Sequence, residues 1–182
     1  NQLKSILFKD TALENPASGT IESISKIELK DIKNFINQTV CLENLIIVAG
    51  GDYELAEFEK LVKPFLETLS VGKKVDFENI NLISKKEEKT LVKDTQQAYI
   101  YFGSSFNIDS KDEENYKAKV ASFILGGSGF GSRLMEEIRV KRGLAYSAYG
   151  SISINKSHSY FNGYLQTKNE SADEAKKLVS EI

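Results

Sequence analysis

The chain has 182 residues, 41% of them hydrophobic and 27% charged, with only two prolines. That suffices for one ordinary domain, or two small ones sharing a core, and excludes disorder for the bulk of the chain. A net charge of -2 speaks against a dedicated nucleic-acid binder, which needs a cationic face to displace counterions, and a single Cys and a single His (Cys41 and His158) leave neither an intrachain disulfide, nor a cysteine-rich metal site, nor a zinc site built on two of the chain's own histidines.

The N-terminal NQLKSILFKD lacks the apolar core of a signal peptide. It also lacks an initiating Met, so we expect a mature chain or a fragment. NPASGT (15–20) reads as a loop. Glu28–Thr39 reads as a helix with Leu29, Ile32, Phe35 and Ile36 on one face. LIIVAG (45–50), ended by two glycines, fits a buried strand. Asp52 is the expected cap of a helix to about Leu69, kinked by Pro64. Residues 70–93, with the run KKEEK, read as a charged linker between two halves.

The second half opens on QQAYIYFGSSF (96–106), an aromatic and β-branched strand. Ser110 and Glu113 form a capping-box pattern ahead of a helix carrying Tyr116, Val120, Phe123 and Ile124. GGSGFG (126–131) ends it, and Ser132 caps a second helix to about Lys141. Tyr146–Ile154 and Ser159–Thr167 alternate as paired strands around NKSH (155–158). Ser171 and Glu174 repeat the capping pattern for a helix still unfinished at Ile182. This order predicts an α+β fold, a largely antiparallel sheet with helices packed on one face. No stretch approaches the 18 or so apolar residues of a membrane span, and we expect no membrane and no nucleic-acid partner. One Cys is compatible with bacterial cytoplasm and periplasm alike, so the compartment stays open.

The glycines at 126, 127, 129 and 131 follow a helix rather than a strand and end in Gly131-Ser132-Arg133. They match neither the dinucleotide fingerprint nor the triphosphate loop. A helix C-cap with a flexible connection, or a mobile loop beside a cleft, are the two readings that remain.

Only three arginines occur, Arg133, Arg139 and Arg142, all within one ten-residue stretch; every other basic residue is Lys. Arg139 near a helix end and Tyr146 at the next strand's start can stand over one surface patch. Together they would hold an extended peptide by its main chain, the guanidinium as a fork of donors and the phenol as donor or acceptor. The structural alternative pairs Arg139 with Glu136 and sends the Tyr146 ring into the core.

The run LGG…SRLMEEIRVKRGLAYSAYGS (125–151) resembles the hallmark of the second-half domain in the pitrilysin/insulinase family of zinc metallopeptidases, which includes the mitochondrial processing peptidases. GTIESISKIELKDIKNFINQTVCLENLIIVAGGD (19–52) is similar to the end of that family's first domain. The resemblance spans residues 19–182. It implies the metallopeptidase-repeat fold, with residues 1–69 closing the zinc-bearing first repeat, 70–93 a linker, and 94–182 the start of a non-catalytic second repeat truncated at its C-terminus.

In this family zinc sits on an H-x-x-E-H helix of the first domain, whose Glu is the general base. This chain has no such motif, so the resemblance implies zinc on a missing first domain or a partner subunit, and no activity of this chain alone. It assigns Arg139 and Tyr146 to the substrate backbone, with Gly126, Gly127 and Gly129 as further substrate-binding candidates and no catalytic or metal residue here. His158 is expected at the surface of a hairpin turn. The implied partners are an unfolded peptide and the zinc-bearing half, and a homodimer is open. An interaction scaffold without proteolysis is the alternative. A further expectation is that residues 28–69 dock as the unit missing from the second repeat, completing the sheet within one chain or by a swap between two.

Overall fold

The computed structural model describes residues 2–182. In chain order the elements are α1 (Gln2–Leu7), α2 (Ile21–Ile24), α3 (Leu29–Thr39), α4 (Leu55–Leu66), β1 (Gln97–Ser105), α5 (Asn115–Ser122), β2 (Ala145–Ile154), β3 (Ser159–Lys168) and α6 (Ala172–Glu181). Two π-helical turns, Phe123–Gly127 and Met135–Val140, follow α5. The chain divides into two compact units, one made by the segment to Ser18 with Glu78–Ile182, the other by Gly19–Phe77. No helix among the described residues is long and apolar enough to cross a membrane.

The larger unit is built on a three-stranded antiparallel sheet in the order β1-β3-β2. The fold is α+β, as the element order implies. Alternation along the strands gives two unlike faces. On one, Ile100, Leu165 and Ala148 lie in register across the sheet. They pack with Leu134, Met135, Ile138, Ala145, Ala175 and Leu178, so α6 and the 135–140 turn close this side into the core. On the other, Tyr101, Tyr164 and Tyr149 lie in register, ring centres 6.1 and 6.3 Å apart, and remain partly open to solvent. Helix α1 covers the end of this second face, where Leu7 approaches Gly103 and the buried Phe8 meets Tyr160 edge-on.

Within the expected linker, Ile80 donates to the Ser157 carbonyl, Ile83 donates to the Leu7 carbonyl, and Glu88 pairs with Lys176 at 2.7 Å. These bonds tie the returning chain to α1, the hairpin and α6. The Lys176 ammonium beside Glu88 holds that carboxyl below its ordinary range.

In the Gly19–Phe77 unit, Asn44 knots two segments together. Its amide donates to the Thr39 and Lys73 carbonyls, and its oxygen accepts from Val75 N–H. Leu42 and Glu43 donate to the carbonyls of Ser70 and Val71. Cys41 is buried in this knot. The apolar stripe of α3, with Leu29, Ile32, Phe35 and Ile36, stays exposed, as do Leu55, Leu61 and Phe65 of α4.

Several sequence expectations are corrected. Residues 45–50 form no strand, and Ile46 and Val48 are 85% and 89% exposed. A buried strand needs paired neighbours and covered faces, and the 45–50 segment has neither a ladder nor cover. Asp52 caps nothing: α4 begins at Leu55 with Glu54 at the cap. Ser110 does not cap α5 either. Asp109 and Asp112 turn the chain by accepting from Lys111 and Glu114 N–H, and the helix starts at Asn115. Ser171 precedes α6 without a side-chain cap bond.

Candidate functional site

Ser132 fulfils its expected role. Fully buried, it donates from Oγ to the Gly129 carbonyl at 2.7 Å and accepts from Met135 N–H at 3.3 Å, fixing the helix start to the glycine-rich loop. The next turn widens to π geometry, with Lys141 N–H bonded to the Glu136 carbonyl at 3.0 Å. A π turn inserts a residue into the helical ladder and redirects the side chains that follow; Arg139 lies in it. Gly143, at φ +64, then takes the left-handed conformation that turns the chain into β2.

A β-bulge follows at once. The register of β2 on β3 shifts between Ala145 and Ser147, so Tyr146 is the extra residue. Tyr146 is 74% exposed. Its carbonyl accepts from Arg139 Nη1 at 2.7 Å. The guanidinium carbon stands 4.7 Å from the centre of the Tyr146 ring and 4.6 Å from that of Phe130. The two features predicted to share a patch do share it, and Phe130 of the glycine-rich loop joins them. The structural alternative is not what the chain adopts: among the described residues Arg139 makes no ion pair, with Glu136 or any other carboxylate, and Tyr146 is outside the core. The remaining guanidinium N–H groups make no other hydrogen bond to the described residues, and Arg139 is partly exposed.

The other arginines divide cleanly. Arg142 donates from Nη1 to both the carbonyl and the carboxylate of Glu137, at 2.7 and 2.8 Å. Lys141 bonds the same carboxylate. These bonds to Lys141 and Arg142 hold the Glu137 carboxyl below its ordinary range. Arg142 thus braces the turn that carries Arg139. Arg133 stands exposed at the start of that helix.

The glycines do not act as one group. Gly126 is buried, and a Cβ there would lie 2.4 Å from Gly150 N; its missing side chain lets the π turn after α5 touch β2. Gly127 and Gly129 are exposed, Gly129 at φ +63 with open space where a side chain would point. Sequence reasoning missed Phe130, although one large aromatic amid glycines and serines was a signal in plain view.

His158 is not the surface residue expected. It is half-buried, its ring 5.1 Å from Phe8 and 5.7 Å from Tyr160, with Ser157 Oγ and Asn155 Nδ2 against its two nitrogens at 2.8 and 3.2 Å. Burial first, then the Lys4 charge, lowers its pKa. Helix α1, which the weak pattern at the N-terminus did not reveal, is what covers it. Among the described residues no group of three or more His, Cys, Asp or Glu could hold a metal. With the one His enclosed by aromatic rings and Cys41 held in the Asn44 knot at 3.1 Å from Nδ2, the donors present do not fit a zinc centre.

The profile of the peptidase M16 inactive domain matches residues 26–182. The chain belongs to this family. It is the family that residues 125–151 resemble. The non-peptidase homolog YmxG of Helicobacter pylori is 43% identical over 180 residues, covering 99% of this chain and 41% of that protein. An uncharacterized zinc protease of Streptomyces coelicolor is 30% identical over 162 residues, 81% of this chain and 33% of that protein. The crystal structure of a peptidase M16 inactive domain from Pseudomonas fluorescens superposes with a TM-score of 0.85 at 26% identity, covering 99% of this chain and 43% of that one. The chain therefore spans less than half the length of these relatives.

Proposed function

We propose that this M16 inactive domain is the substrate-holding part of a zinc-dependent metalloendopeptidase. It closes over an unfolded peptide opposite a zinc site carried by another domain or subunit, and it hydrolyses nothing alone. The observation that carries this reading is the Arg139–Tyr146 pair, which the bulge and the π turn hold outside the core with guanidinium N–H groups unspent. A peptide carbonyl can accept from the guanidinium edge while the Tyr146 hydroxyl donates to or accepts from the next peptide unit. Contacts to main chain alone bind many sequences. Gly127 and Gly129 border the peptide path in this reading, and Gly126 serves it indirectly through its packing on Gly150.

The second reading, a proteolytically inactive interaction subunit, is favoured by one finding: the relative at 43% identity is named a non-peptidase homolog. Arg139→Ala and Tyr146→Phe in the full-length assembly separate the two. A charge-assisted hydrogen bond contributes about 1.5–3 kcal/mol, so Arg139→Ala is expected to weaken binding of an unfolded peptide about ten-fold or more, and turnover with it. Unchanged binding in both variants removes the peptide-holding role. Intact binding by the parent with no turnover favours the inactive subunit.

A further inference from the structure

We propose that Phe130 is a positioning residue of this site, holding the Arg139 guanidinium in place for the peptide. The inference rests on the peptide-binding reading above and extends it to the glycine-rich loop, which then has a defined task. Phe130 lies in a tight turn, Gly129–Gly131. Gly129 takes φ +63, and its carbonyl accepts from both the backbone N–H and Oγ of Ser132, at 3.0 and 2.7 Å. The turn is thereby fixed to the helix that bears Arg139. Its one bulky side chain, 64% exposed, does not join the core cluster but stands over Arg139, with the guanidinium carbon 4.6 Å from its ring centre.

An exposed Arg ordinarily samples many rotamers. With Nη1 bonded to the Tyr146 carbonyl and two ring faces against the planar group, that freedom is removed before the peptide arrives, and less is lost on binding. The glycines on either side let the ring be placed there without other side chains crowding the path.

The test uses the full-length protein and fluorescein-labelled, reduced and carboxymethylated α-lactalbumin, with Kd from anisotropy. Phe130→Leu keeps apolar bulk and removes the π face; it is expected to raise Kd about two- to five-fold. Phe130→Tyr restores the ring and brings Kd back towards the parent value. In an Arg139→Met background, Phe130→Leu is expected to add nothing. A Kd unchanged by Phe130→Leu, or an equal loss in the Arg139→Met background, overturns the proposal. The ring-current shift of the Arg139 Nε–H resonance reports the contact without peptide: the Phe130 share is lost in Phe130→Leu, leaving the share of the Tyr146 ring, and is kept in Phe130→Tyr, and a shift unchanged by Phe130→Leu overturns the placement. If the shift behaves as expected while Arg139→Met leaves Kd unchanged, the peptide-binding reading has failed, and Phe130's role with it, although the ring contact stands.

Discussion

Arg139 donates to the main-chain carbonyl of Tyr146 at 2.7 Å while its guanidinium carbon stands 4.7 Å from the Tyr146 ring. One residue thus holds the cation by backbone and by side chain at once. Arg139→Lys keeps the charge but replaces the planar fork with a point charge on a flexible stem. It is expected to recover only a small part of the peptide affinity lost in Arg139→Ala, with little change in melting temperature, because the group is surface-placed. Full recovery by Lys, read by the same anisotropy titration, would mean that charge alone binds.

Gly126→Ala places a methyl group within 2.4 Å of the Gly150 backbone. Neither backbone can yield without moving the Phe123–Gly127 turn off β2, so destabilisation of about 1–3 kcal/mol is expected. Gly131→Ala meets only Ser128 Oγ at 3.7 Å and serves as the tolerated comparison. Urea unfolding of the two variants checks the difference.

Leu165 sits fully buried at the centre of the middle strand, facing Ile100 on one side and Ala148 on the other. Truncation to Ala leaves a cavity that flanking strands cannot fill. A loss of about 2–5 kcal/mol is expected from the urea midpoint, against a near-neutral effect for Val120→Ala on the exposed side of α5.

His158 has a folded-state pKa below its ordinary value of about 6.5. The unfolded chain therefore takes up the proton first as pH falls. The neutral ring's contribution is complete above that value and declines as pH drops through the unfolded pKa towards the folded one. Melting temperature is expected to fall as pH drops through the unfolded value of about 6.5, and His158→Phe, which keeps a ring against Phe8 and Tyr160, is expected to flatten that slope. An equal slope in both proteins would place the pH dependence elsewhere.

The helices of Gly19–Phe77 bury none of their residues, and their apolar stripes face solvent. Short helices without packing are marginal in water. A peptide of residues 19–77 is expected to show weak helical circular dichroism and no cooperative melting. A sharp thermal transition in that peptide would contradict this.

Much was legible from residue order. Aromatic and β-branched composition in 96–106 and alternation in Tyr146–Ile154 and Ser159–Thr167 located the three strands to within a residue or so of their ends, and Ser132 announced its helix through the geometry of capping. The chemistry of one His and one Cys left no two-histidine zinc site on this chain. What residue order could not reach was set by partners distant in sequence. LIIVAG reads as a strand because its composition suits one, yet a strand also needs an edge to pair with, and residues 45–50 take no strand conformation. His158 looks superficial until α1, some 150 residues earlier, lies over it. The Arg139–Tyr146 spacing admitted both a core pairing and an exposed site. The register shift at Tyr146 chose the second, because a bulge frees a carbonyl and turns a ring outward, and Phe130 entered through a loop whose conformation no periodicity encodes.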